Sequence, residues 1–285
     1  MRPMEILPQC RACLERLVHL TADLATTDAT LKRQAAAAAL EIVAQDFSQS
    51  GAIPALIASR FHRAIQEISG NRDPFAPRKA LETAYLARMQ RRLAPASGDD
   101  LVSALKLAAL GNAVDFFRTE AEVSRELLTP VEFAVADLAE LHLASQGAKG
   151  LLLYLADNAG EQFFDLPLVA HLRRQGWRVV YVVKGGPIQN DLTRGDLYGS
   201  GLGEALEPVT DTGARTVGLD LRDVSAGFRA HFEAAQIILA KGMGHFETMS
   251  HLGDPRVFYL LQAKCTAVAR ALEVDRGALV FARQQ

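Results

Sequence analysis

The chain has 285 residues, 49% hydrophobic and 22% charged, with 31 basic and 33 acidic side chains and a formal charge of −2. That balance gives no global preference for nucleic acid or an anionic membrane, no apolar run approaches the roughly 18 residues a membrane span needs, and "MRPMEILPQC" has an acid and two prolines where a signal peptide would carry its apolar segment. A cytoplasmic protein of one large domain or two is expected, with no nucleic-acid or membrane partner; nothing in the sequence specifies an oligomeric state.

Residues 1 to about 145 read as helix after helix. "LERLVHLTADLATTDATLKRQAAAAALEIVAQDF" places apolar residues at three- and four-residue steps around five alanines, Ala35 to Ala39. Gly51 and Pro54 mark a break, "IPALIASRFHRAIQEISG" resumes the helical period, and "NRDPFAP" is a turn cluster. "RKALETAYLARMQRRL", "LVSALKLAALGNAVDFF" and "PVEFAVADLAELHLASQG" complete an all-α region over 1–145. The arginines of the first of these read as a solvated helix face. Cys10 and Cys13 form "CRAC". They are ordinary helix cysteines, a redox pair or half of a metal site, and no second CxxC or HxxxH follows.

From Lys149 the pattern changes. "GLLLYLAD", "WRVVYVVK", "TVGLD", "QIILAK", "CTAVA" and "ALVFA" are short apolar runs, the earlier ones alternating with helix-forming segments such as "DLPLVAHLRRQG". Near-continuous apolar strands alternating with helices predict an α/β core over 146–285: a Rossmann-like, mainly parallel sheet with helices on both faces. Cys265, within "AKCTAVA", reads as a buried small side chain.

In such sheets ligands bind beyond the carboxyl ends of the strands. The first strand ends at Asp157-Asn158, followed by Glu161. The second runs into "VVKGGPIQNDLTRGD", carrying Lys184, Asn190, Asp191 and Asp196; a later one runs into "LAKGMGHFETMSH", carrying Lys241, Gly242, Gly244 and Glu247. Any one of these is satisfied by a helix cap with an acid in the first turn. Three together, with oxygen ligands for a hard cation, lysines for an anion and glycine turns, describe a metal–phosphate site. Competing signals are weaker. "GSGLGEAL" is an incomplete dinucleotide fingerprint, and His245 and His251, six apart, are poorly spaced for one metal.

"DNAGE", "VKGGPIQNDLTRGD" and "AKGMGHFET", with "AKCTAVA" after them and "GNAVDFF" before, resemble the damage-control phosphatase family, formerly a domain of unknown function numbered eighty-nine. The CxxC resembles that family's prokaryotic branch. The resemblance implies a helical region beside a Rossmann-like core, and divalent-metal-dependent hydrolysis of small phosphorylated metabolites. It implies metal ligands at Asp157, Asn158 and Asp196, with Mg²⁺ or Mn²⁺ expected and Co²⁺ or Ni²⁺ as further candidates. It puts the phosphate-binding lysine at Lys241, and Lys184, Asn190, Asp191, Gly242 and Glu247 around the substrate. His245 stands where that branch usually has Asn. The nucleophile is metal-bound water or the Asp157 carboxylate. The alternatives are a non-catalytic metal or phosphometabolite binder and a Rossmann-type carboxyl methyltransferase.

Overall fold

A computed structural model describes residues 1–93, 100–112 and 132–284. Three helices packed on one another open the chain: α1 (Pro8–Ala25), α2 (Ala29–Phe47) and α3 (Pro54–Ser69). Asp28 separates the first two by accepting from the Thr30 and Leu31 amides at 2.7 and 3.0 Å, which is why the long apolar run breaks there. Pro54 begins α3 and Gly70, in the left-handed region, ends it. Val18, Ala39, Phe61 and Ile65 form the shared core of this bundle. Two further helices, α4 (Ala76–Leu93) and α5 (Leu101–Gly111), lead towards the sheet.

The remaining elements are β1 (Phe133–Ala136), α6 (Leu138–Ala144), β2 (Leu151–Leu155), α7 (Gln162–Arg174), β3 (Arg178–Val183), α8 (Arg194–Gly199), α9 (Gly203–Leu206) and β4 (Val209–Asp211). They are followed by α10 (Ala226–Ala234), β5 (Ile237–Lys241), α11 (Met243–Met249), β6 (Val257–Gln262), α12 (Thr266–Leu272) and β7 (Leu279–Arg283). The strands among the described residues form one seven-stranded sheet ordered β1-β7-β6-β5-β2-β3-β4. The five from β6 to β4 are parallel, β7 runs antiparallel to β6, and β1 is parallel to β7. The expected mainly parallel α/β sheet is therefore present.

Helices cover both faces because the strands are apolar on both. Leu153, Leu155, Val182 and Ala240 pack under Phe228 of α10, Phe246 of α11 and Val268 of α12. Leu152, Tyr154, Tyr181 and Leu239 face Leu105 and Ala108 of α5 and Leu168 of α7 on the other side. Such burial on two sides removes the alternation that a half-exposed strand would show.

Some local expectations are corrected. Within "PVEFAVADLAELHLASQG", residues 133–136 form an edge strand on β7 and only 138–144 are helical, so the sheet gains a strand from before residue 146. "TVGLD" is not a strand; β4 lies earlier, at 209–211. "CTAVA" opens α12, and the strand at that sheet edge is the preceding "VFYLLQ". The "AVDFF" part of "GNAVDFF" lies outside the described residues. Among the described residues no helix is long and apolar enough to cross a membrane.

Candidate active site

Strand order reverses between β2, from which the chain proceeds to β3 and β4, and β5, from which it proceeds to β6. A crevice opens at such a switch point, beyond the carboxyl ends of the two strands. Asp157 follows β2 and Gly242 follows β5, and they touch: a Cβ on Gly242 would lie 1.9 Å from Asp157 Oδ2. Gly242 also has φ +82°, so both space and backbone require glycine.

The loop after β3 folds back over the loop after β2. Leu192 N donates to Asp157 O at 2.8 Å, Ala159 N donates to Asn190 O at 2.8 Å, and Asn158 and Asp191 form an antiparallel bridge. This brings Asp157, Asn158, Asn190 and Asp191 to one cavity of about 180 Å³, with Asn112 at the end of α5, Glu247 of α11 and Lys264 after β6. Helices α1 and α3 close it, through residues that include Cys13 and Ala55.

Amides aim the carboxylates. Asn112 Nδ2 donates to Asp157 Oδ2 at 2.7 Å and to Glu161 Oε1 at 3.1 Å. Asn158 Nδ2 donates to Asp157 Oδ2 at 3.0 Å and to Glu161 Oε1 at 2.7 Å, which turns its Oδ1 the other way. Burial raises the Asp157 carboxyl well above the usual carboxylate range; Glu161 and Asp191 add to the rise, and Lys264 and Lys184 oppose it. Burial likewise lifts Asp191 to about 6 against the pull of Lys184. Asp191 Oδ2 is buried without a hydrogen-bond partner, although Lys184 Nζ stands 3.4 Å away. Clustered oxygens of this kind, carboxylate and amide, suit a hard divalent cation. Among the described residues no three His, Cys, Asp or Glu side chains converge as a ready metal cage. The donor set here is Asp157, Asn158 and Asp191, with an amide as its middle member.

Asp196 takes another position. Its Oδ2 accepts from Thr193 N and Oγ1 at 3.1 and 2.6 Å, closing a capping box at the start of α8, and from Lys79 Nζ at 2.8 Å. It does not line the cavity. The expected ligand trio is thus corrected at its third member: geometry joins Asp157 and Asn158 to Asp191, five residues earlier than Asp196.

Lys241 is fully buried beneath the cavity. Its Nζ contacts Glu161 Oε2 at 2.7 Å, Asp165 Oδ1 at 2.7 Å and Ala108 O at 2.8 Å. An ammonium has three donors, and all three point into the protein, so Lys241 has none left for the phosphate it was expected to meet. Asp165 also accepts from Tyr154 and Tyr181 hydroxyls at 2.7 and 2.6 Å. Burial acts to raise Glu161, but Lys241 outweighs it and holds Glu161 below the usual range; for Asp165 burial wins and the value is raised.

Lys184 is similarly enclosed: Nζ donates to Gly218 O and to His245 Nε2, and pairs with Asp191. His245 Nδ1 contacts Lys241 O at 2.6 Å. A carbonyl only accepts and a lysine only donates, so His245 is the neutral imidazole with its proton on Nδ1. Burial, then the Lys184 charge, keeps it neutral. Asn190 Nδ2 donates to Glu82 at 3.1 Å, while its buried Oδ1 has no partner. Glu247 accepts from Ala55 N, an orphan amide of the α3 N-terminus, at 3.0 Å, and burial raises it to about 7.

Sequence reasoning did not single out Asn112 or Lys264. Lys264 is half-buried, lines the cavity and favours the ionised forms of Asp157 and Glu161. Its signal was the end of β6, a strand not anticipated. None of the three cysteines forms a disulfide; Cys10 and Cys265 pack against the core shared by α11 and α12, and Cys13 lines the cavity.

Comparison with known proteins identifies the family. Residues 6–280 match the family described as the damage-control phosphatase ARMT1-like domain. The chain is 37% identical over 292 residues to the damage-control phosphatase PH1575 of Pyrococcus horikoshii, covering 99% of both chains. It is 30% identical to a damage-control phosphatase of Archaeoglobus fulgidus, covering 97% of this chain and 98% of the other. The crystal structure of a DUF89 family protein from Pyrococcus horikoshii superimposes with a TM-score of 0.88 at 35% identity, over 99% of this chain and 100% of that one. The chain belongs to the damage-control phosphatase family with an ARMT1-like domain.

Proposed function

We propose that this protein is a divalent-metal-dependent phosphatase acting on small phosphorylated metabolites. The observation that carries the reading is the convergence of Asp157, Asn158 and the hydrogen-bond-deficient Asp191 on the switch-point cavity, with Lys264 on its wall. The phosphatase names of full-length relatives support the reaction class. Mg²⁺ or Mn²⁺ held by those three residues would polarise a phosphoryl group and supply an activated water.

The chain's own residues act around that chemistry. Asn112 and Asn158 fix the orientation of the Asp157 carboxylate through its Oδ2 and leave its Oδ1 for a cation. Lys264, rather than Lys241, faces the cavity and would neutralise charge on the phosphoryl oxygens. Lys241, Glu161 and Asp165 form the rigid floor that keeps both asparagines in register.

Turnover of p-nitrophenyl phosphate after chelation and re-addition of single metals tests the proposal. Asp191→Asn should cost on the order of 10²-fold or more in kcat, as expected for a group stabilising transition-state charge. Asp196→Asn should retain turnover within a few-fold of the parent. The reverse ranking, or full activity in chelator, would refute it.

A further inference from the structure

A second cavity, of about 650 Å³, lies beside the first and shares two walls with it: α3 and the segment 213–217. None of Asp157, Asn158 or Asp191 lines it. Arg60 and Arg63 from α3 meet Arg215 and Arg222 there, against the carboxylates of Asp220 and Asp223. Two of the arginines are already neutralised: Arg60 pairs with Asp46, and Arg222 with Asp220 at 2.8 Å. The other two are held in place with donors to spare.

Arg215 Nη1 donates to Gln66 Oε1 at 3.2 Å, and the Gln66 amide is itself fixed by its donation to Pro187 O at 3.0 Å. The stem of Arg215 lies on Gly186, where a Cβ would come within 2.9 Å of its Cγ. Arg63 Nη1 donates to Arg215 O at 3.0 Å and stands 3.9 Å from Asp223. Among the described residues both therefore engage protein through Nη1, and a guanidinium has five N–H donors. Two anchored planar forks on one cavity match the oxygens of a phosphate or diphosphate bidentately. The volume exceeds that of a bare phosphate and falls in the range of small-ligand sites.

We propose that this arginine-lined cavity is a second, non-catalytic binding site for a small phosphorylated molecule, with Arg63 and Arg215 holding the phosphate. Inorganic pyrophosphate titrated calorimetrically into the full chain, in chelator and at low salt, is the probe. One saturable site is expected. Arg63→Ala or Arg215→Ala should weaken it about tenfold or more, the scale of a lost charge-assisted bond. Arg215→Lys should weaken it because the charge remains but the fork is lost, and Gly186→Ala because the stem is displaced. Lys264→Ala, and Arg91→Ala with Arg92→Ala on α4, should leave affinity unchanged, with circular dichroism confirming each fold. Three results would overturn the proposal: no saturable binding, unchanged affinity in the Arg63→Ala/Arg215→Ala and Arg215→Lys variants, or loss of binding in Lys264→Ala, which would place the anion in the catalytic cavity.

Discussion

Replacing Lys241 by alanine or methionine separates an interior role from a ligand role. Its ammonium is fully buried and contacts both Glu161 and Asp165, each no more than 1% exposed, while also bonding Ala108 O. Removing one partner of a buried ion cluster leaves uncompensated charge and costs about 3–5 kcal/mol. For a chain of this size that corresponds to a fall of roughly 6–20 °C in Tm, at roughly 2–4 °C per kcal/mol. The pH dependence has a definite sign. Without Lys241 both carboxyls titrate above their unfolded values in the folded state, through burial and mutual repulsion. The folded variant then favours their protonated forms, and its deficit grows as pH rises above the ordinary carboxylate range. Urea unfolding followed by circular dichroism at pH 5 and pH 8 measures this directly, with the larger loss expected at pH 8. Adding Asp165→Asn to Lys241→Met removes one of the stranded charges and should recover part of the loss. A Lys241→Met variant as stable as the parent at both pH values, yet without turnover, would refute the argument and place the ammonium on an anion.

Gly242→Ala should lose turnover and about 2 kcal/mol or more of stability, because a left-handed backbone and the Asp157 carboxylate both oppose a Cβ. Gly253→Ala, at φ +62° with open space around it, is the matched control and should lose less, by the same unfolding assay. For Glu247, with its folded value raised to about 7, the stability tied to its protonated form is complete below its unfolded value near 4.5 and is lost as pH rises to 7. Glu247→Gln should flatten that decline in urea midpoints measured from pH 4.5 to 8; an unchanged slope would show that Glu247 does not titrate in that range.

Much of the sheet was legible because β2, β3, β5 and β7 are unbroken apolar runs. Residues 133–136 were not, since "FAVADLAEL" fits a helical apolar spacing equally well and only pairing with β7 makes its first part a strand. At the site, Asp157 and Asn158 could be read from their place at a strand end. Asp191 and Asp196 are acids five residues apart, and only Asp191, in the loop before α8, pairs with Asn158 and lines the cavity. A signal was present nonetheless: Thr193-x-x-Asp196 is the pattern of a capping box. Lysine roles were the least legible. A lysine at the end of a buried strand reads as emerging into solvent, and only the acids of α7 turn Lys241 inward.

The buried cluster also constrains the order in which the molecule can assemble. Lys241 comes from β5, whereas Glu161 and Asp165 come from the cap and first turn of α7, and the tyrosines from β2 and β3. Each charge is tolerable in water and costly alone in the interior, so none of these segments gains by docking dry without the others. Insertion of β5 between β2 and β6 and closure of α7 over the sheet must therefore desolvate their charges together. Glu161 is also the acceptor of the Asn112 and Asn158 amides, so the pairing that dries the centre of the sheet is the same one that seats both asparagines at the cavity.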